Sequence, residues 1–344
     1  MTTVPRWIAK AKKELEYCYR YYTVQKEIIL FTPETIRQLV EEIGDSKYTL
    51  EGVKEFLGRC KRKVRFSMNC ITIDVVCNKI SKKLLEQITR TLYRTNAICR
   101  MFKITRNNQP YPIILVPFDE PRTKPEIMSD IVEPKHVNGG YTYINNGNIY
   151  IYRLEEWPKV VLHELLHNVP KLQMIPWSNI TIKQLYNVFD INTSGCPDHC
   201  STSLEPTEGV IEAWAIFLHT VFMSLEMPDK DFYSLLKDEI KWNDKHIEWI
   251  LSKKEIYKDK KWSETSHIFS YIVLRGIILH HLDSFLKLSI PYDETKLSLF
   301  WIEKWQNIKD KYNYNINNKN NINNKNNINN KNNTTLRMSK YGDV

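Results

Sequence analysis

The pattern of apolar and polar positions divides the chain into two unlike halves. Over the first sixty residues the apolar positions recur mostly at helical spacing. Thr32-Pro33-Glu34 reads as a helix start, with Thr as N-cap and Pro in the first turn. Ile36, Leu39, Val40 and Ile43 then form one stripe, and Gly44 stops it. Across residues 64–76 the β-branched content rises and predicts one or two strands. A helix is expected over 81–96, and the apolar run 112–117, bounded by prolines, fits a buried strand. The runs Tyr141-Thr142-Tyr143-Ile144 and Ile149-Tyr150-Ile151-Tyr152 flank Asn145-Asn146-Gly147-Asn148, and Asn-Gly between two such runs predicts a hairpin.

After the hairpin the period is helical. Helices are expected over 154–168, with Glu155 and Glu156 at the positive end of the dipole, and over 206–225, which is strongly apolar. Further helices are expected near 229–236, 246–253, 264–282 and 293–311. Helices and strands followed by a mostly helical half make an α+β chain rather than an alternating β/α one. Beyond residue 311 the pattern collapses. The hexapeptide Ile-Asn-Asn-Lys-Asn-Asn begins at Ile316, Ile322 and Ile328, too poor in apolar groups to offset the entropy of ordering it. The expected organisation is an N-terminal helical region (1–62), a main domain (63–311) and a disordered Asn/Lys-rich tail (312–344).

Composition changes this picture little. The 344 residues carry a formal charge of +9, and the basic residues are dispersed enough to specify no nucleic-acid site. No apolar run at the N-terminus has signal-peptide length, and none reads as a membrane span. With seven cysteines, this leads to the expectation of reduced thiols in an intracellular, cytoplasmic protein.

The candidate chemistry lies in the two apolar helices. His163 and His167, four apart, share a helical face and can grip one ion through imidazole nitrogens. Glu164 stands beside them, where a carboxylate can take a proton from metal-bound water; His-Glu-x-x-His on a helix encodes this arrangement for zinc. A third ligand is needed. Glu208 and Glu212, again four apart, lie in the otherwise apolar helix 206–225, and carboxylates are costly there unless paired or bound to metal. One would ligate the ion; the other would accept a hydrogen bond from a liganding His. Cys196, His199 and Cys200 offer soft ligands in one loop, but spacing identifies no fourth ligand for a second zinc. His219, His280 and His281 read as packing or surface histidines.

His163-Glu164-x-x-His167, followed by Glu208-Gly209-x-x-Glu212-x-x-Ala215, resembles the gluzincin metallopeptidases of the thermolysin-like and aminopeptidase type. Metzincin spacing is absent, since Pro170 and Gln173 stand where that class has Gly and His. The resemblance covers about 139–225. It implies a zincin-like catalytic domain holding one Zn2+, with Glu208 as third ligand and Glu212 behind the ligands. Thr207 stands where the family has Asn, and Glu212 where it has Asp. It also implies an edge strand before the zinc helix that pairs with a peptide or protein substrate, and a Tyr or His that stabilises the oxyanion. His267, Tyr271 and Arg275 fall four apart on an apolar helix. Tyr271 or His267 is the expected donor, and Arg275 a group that could hold a substrate carboxylate. The competing reading is an inactive scaffold of the same type that binds peptides without turnover. The intact Glu164 argues against it, because only catalysis needs that residue.

Overall fold

The computed structural model describes residues 3–44, 50–106, 109–125, 131–144, 147–191, 204–256, 266–323 and 335–344. The strands are β1 (Gln25–Leu30), β2 (Arg62–Met68), β3 (Ile71–Val76), β4 (Tyr111–Leu115), β5 (Gly140–Thr142) and β6 (Ile149–Ile151). In the first half the helices are α1 (Thr3–Tyr21), α2 (Pro33–Leu39), α3 (Glu51–Gly58), α4 (Lys82–Phe102) and α5 (Pro134–Val137). The second half adds α6 (Trp157–Leu166), α7 (Pro170–Gln173), α8 (Asn179–Phe189), α9 (Pro206–Glu226) and α10 (Phe232–Ile256). It closes with α11 (Arg275–His280), α12 (Leu282–Leu286) and α13 (Glu294–Asn323). The fold is α+β.

One mixed sheet runs in the order β1-β2-β3-β4-β6-β5. β3, β4 and β6 are parallel to their neighbours in the middle, while β1 and β5 close the edges as antiparallel strands. The predicted hairpin is therefore present, with Tyr141 opposite Tyr150; its turn residues Asn145 and Asn146 lie outside the described residues. Strand alternation sends Ile149 and Ile151 into the main core and Tyr150 and Tyr152 into a smaller cluster with Tyr141, Val53 and Leu57. α4, α6 and α9 build the main core on the first face, and α3 covers the second.

α9 is apolar all round, as befits a helix with core on every side. It is the one helix among the described residues long and apolar enough to cross a membrane, and 83% of that stretch is buried inside the protein.

Two expectations are corrected. The N-terminal region contains a strand as well as helices: β1 pairs with β2 across the expected boundary at residue 62. Its side chains are nearly all exposed, so no alternation marks it. α1 packs on α4, α9 and α12 and shares their core.

The tail is not structureless either. α13 continues to Asn323, and residues 335–344 return to the core, with Leu336, Met338 and Ser339 buried. Polar anchors hold them: Glu156 accepts from the backbone N–H of Met338 (2.9 Å) and of Ser339. Glu239 accepts from Ser339 Oγ, Lys340 N and Tyr341 N. Glu156, N-cap of α6 in a left-handed conformation, is thus fully buried at the N-terminal end of that helix.

Candidate metal centre

α6 delivers the two histidines as its spacing predicts, with their Nε2 atoms 3.1 Å apart. Glu208, in the first turn of α9, brings Oε2 to 3.3 Å from His163 Nε2 and 3.5 Å from His167 Nε2. That oxygen is buried and, at those angles, hydrogen-bonded to neither ring. α9 can approach this closely because Gly209 faces the segment 270–274: a Cβ there would sit 2.8 Å from Leu274 Cβ and 3.2 Å from Ser270 O.

Side-chain partners fix the direction of both rings. His163 Nδ1 lies 2.8 Å from Glu212 Oε2, and His167 Nδ1 lies 2.6 Å from Gln173 Oε1. Both partners are acceptors, so each Nδ1 carries a proton and each Nε2 faces inward as the atom left to bind an ion. Two ring nitrogens and a carboxylate oxygen then converge on one point, a place for a cation, whether a metal ion or a proton.

The size of the gap fits zinc. Contacts of 3.1, 3.3 and 3.5 Å form a triangle whose corners lie about 1.9 Å from its centre. Ligands about 2.0–2.1 Å from a tetrahedral zinc lie about 3.3–3.4 Å from one another. His163, His167 and Glu208 also form the cluster of potential ligand atoms among the described residues, all within 4.8 Å of one another.

Charge points the same way. Glu164, Glu208 and Glu212 are opposed by two permanent cations, Lys159 and Arg275, which both bind Glu212 Oε1 at 2.7 and 3.0 Å. Burial alone would depress the His163 imidazole, but the carboxylates of Glu208 and Glu212 outweigh it and push it up to about 10. His167 is raised through Glu208 against the same burial. Burial would raise both acids, yet Glu208 falls well below its ordinary value beside the two imidazoles. Glu212 falls too, beside Lys159 and His163.

Glu164 lines a cavity of about 40 Å3 next to the triad, together with Tyr271, Lys159, Gly139, Gly140 and Met338. Burial raises its carboxyl above the usual range, with the two imidazoles opposing. The Tyr271 ring meets that of His163 edge-on at 5.8 Å. Burial, followed by Glu208, Glu164 and Glu212 around it, holds the phenol protonated well above its ordinary value.

β5 forms the cavity's wall. Gly139 O accepts from Tyr152 N, so by antiparallel alternation the N–H and C=O of Gly140 point to the free edge. A Cβ at Gly140 would sit 2.7 Å from Ile151 Cδ1 and 3.2 Å from Val160 Cγ1; only glycine lets this edge lie against α6.

The expected helical face of His267, Tyr271 and Arg275 is not present. His267 precedes the helix with φ +55°, and its Nδ1 is buried without a hydrogen bond. Glu205 senses His267, as it does His167. Residues 270–274 form a π-helical turn, whose freed carbonyls take side-chain donors: Asn243 Nδ2 to Ile272 O and Trp301 Nε1 to Leu274 O, both 3.1 Å. Arg275 is buried and spent on Glu212, Asn243 and Met338 O, so it is not placed to hold a substrate carboxylate.

Lys159, Gln173 and Met338 were not expected at the site. Lys159 had a signal: it lies one turn before His163 in an apolar run, where a lysine needs a carboxylate. Gln173 and Met338 had none. Cys196, His199 and Cys200 lie outside the described residues. The chain matches no protein-family model, no curated protein and no solved structure.

Proposed function

We propose that this protein is a zinc-dependent peptidase of gluzincin type, with His163, His167 and Glu208 as the zinc ligands. One observation carries the reading: two inward-turned imidazole nitrogens and an orphaned carboxylate oxygen converge at zinc-ligand separations. His163, His167 and Glu208 would hold a zinc ion, which would supply Lewis acidity and bring the pKa of water towards neutrality.

The chain's own residues account for the rest. Glu164 Oε faces the cavity, where it takes a proton from water and returns it to the leaving amine. Glu212 and Gln173 keep both rings aimed inward while substrate exchanges. The Tyr271 hydroxyl, protonated at working pH, donates to the developing oxyanion. The cavity has room for little more than water, so an extended substrate lies outside it, paired with the free edge of Gly140. The zincin-like fold is part of the same proposal; an antiparallel edge strand beside α6, with α9 supplying a glutamate, is the layout the resemblance implies.

The test is Glu164→Gln beside wild type. Metal analysis should find one zinc per chain in both. Cleavage of a quenched fluorescent peptide library should fall by at least about 100-fold in the variant. Full activity in Glu164→Gln sinks the mechanism; wild type without zinc sinks the metal.

A further inference from the structure

A second cleft, of about 790 Å3, opens between α1, the end of α4, α7 and the chain around the end of α12. Its floor is apolar and recessed: Trp7, Met101, Phe102, Leu286, Leu288 and Ile290. Its rim is cationic: Arg6, Lys10, Lys13, Lys103, Lys171 and Lys287. Among the described residues no carboxylate lines it.

The charge is not a by-product of a basic chain. Lys287 pairs with Asp283 at 2.7 Å, but the other five cations form no ion pair among the described residues. Acidic residues on the same helix pair elsewhere, Glu14 with Arg100 at 2.7 Å and Glu16 with Lys12 at 3.8 Å, although the charge of Glu14 also reaches Lys10. Lys10 instead lies over the Trp7 ring, 4.9 Å from its centre. Arg6, Lys10 and Lys13 fall on one face of α1. They form a row about 10 Å long, and Lys103, Lys171 and Lys287 answer it from three other elements.

We propose that this cleft docks an acidic peptide segment bearing an apolar anchor. Cations spread over such a length match several spaced carboxylates better than a single anionic headgroup. The recessed floor asks for a side chain that reaches inward, which a flat bilayer surface does not supply. Bases of a single-stranded nucleic acid would need open aromatic faces. Here Trp7 stacks on Phe102 at 5.9 Å and Lys10 covers it, leaving an otherwise aliphatic floor. The cleft is distinct from the metal centre, but Lys171 shares α7 with Gln173, the partner of His167.

The test reads binding alone and does not depend on peptidase activity. The probe is a short fluorescein-labelled peptide of glutamates flanking two phenylalanines, titrated with the full chain and followed by anisotropy. Saturable binding that weakens with salt is expected, with weaker binding of an all-glutamate peptide. The double reversal Lys10→Glu with Lys103→Glu, both exposed, should weaken binding at least tenfold. Lys82→Glu with Lys83→Glu, at the other end of α4, should leave it unchanged. No binding, equal loss in the control pair, or tighter binding of oligothymidylate at the same lysines would each overturn the proposal.

Discussion

Glu208 and Glu212 lie one turn apart on the same face of α9, yet their surroundings give them different tasks. Glu208 has two imidazoles before it and no hydrogen bond to its inward oxygen. Glu212 is saturated by His163, Lys159 and Arg275 and has nothing left for an ion. Removing Glu212 therefore strands two buried cations, a loss of about 3–5 kcal/mol of stability, and weakens zinc binding about 10–100-fold through the loosened His163 ring. Removing Glu208 should abolish tight zinc binding at a smaller cost to the metal-free protein than the loss of Glu212, since its inward oxygen makes no hydrogen bond. Competition with a chromogenic chelator and urea unfolding of the metal-free variants separate the two; the reverse ranking in either measurement exchanges the roles. The sequence contained most of this site because His163, Glu164, His167, Glu208 and Glu212 are local patterns, each readable within one helix. The partners that orient them were not legible. Lys159 meets Glu212 across 53 positions and Arg275 meets it across 63, and no periodicity records a contact between elements.

The elements that were readable are those with a local signature: the Asn-Gly hairpin, the Thr32 cap of α2, and the amphipathic runs. β1 was hidden because an exposed edge carries no alternation, and the π-helical turn at 270–274 because its register is imposed by packing. That turn holds Tyr271 against the triad, and Gly209 sets how near α9 comes to it. In Gly209→Ala the new methyl meets Leu274 Cβ and the backbone oxygen of Ser270, neither of which can swing aside. Overpacking of this kind costs about 1–3 kcal/mol. The retreat of α9 carries Glu208 from the histidines, so zinc affinity should fall together with the melting temperature. Gly58→Ala, where a Cβ meets nothing within 4 Å, is the matched control and should be neutral or slightly stabilising. Equal effects of the two substitutions would show that the close approach of α9 does not hold the centre together.

At the scale of the molecule, residues 335–344 join elements that the sequence read as unconnected to them. Composition hid this, since an Asn/Lys-rich stretch precedes them and the anchors on the other side are single buried polar groups far back in the chain. His219 on α9 lies 3.0 Å from Tyr341 O through Nε2, and its Nδ1 lies 3.5 Å from the buried guanidinium of Arg94. Burial, and then the Arg94 charge, push the imidazole down to about 3. Burial likewise lowers His246 to about 4. Both are therefore neutral in the folded chain below the pH at which an exposed histidine takes up its proton. The unfolded chain binds more protons in that window, so stability falls as pH drops from about 6.5 towards 4, and it is fully present only above 6.5. By pH 5 each group contributes a loss of about 2 kcal/mol. Replacing His219 by Gln keeps a donor for Tyr341 O and removes the titration. Urea midpoints of the full chain between pH 6.5 and 5 should then show a shallower decline in the variant, by up to about 1.4 kcal/mol per pH unit after conversion to free energy. Parallel declines would mean that His219 is protonated in the folded protein, and that the contact between α9 and the C-terminal segment is looser than a buried neutral imidazole requires.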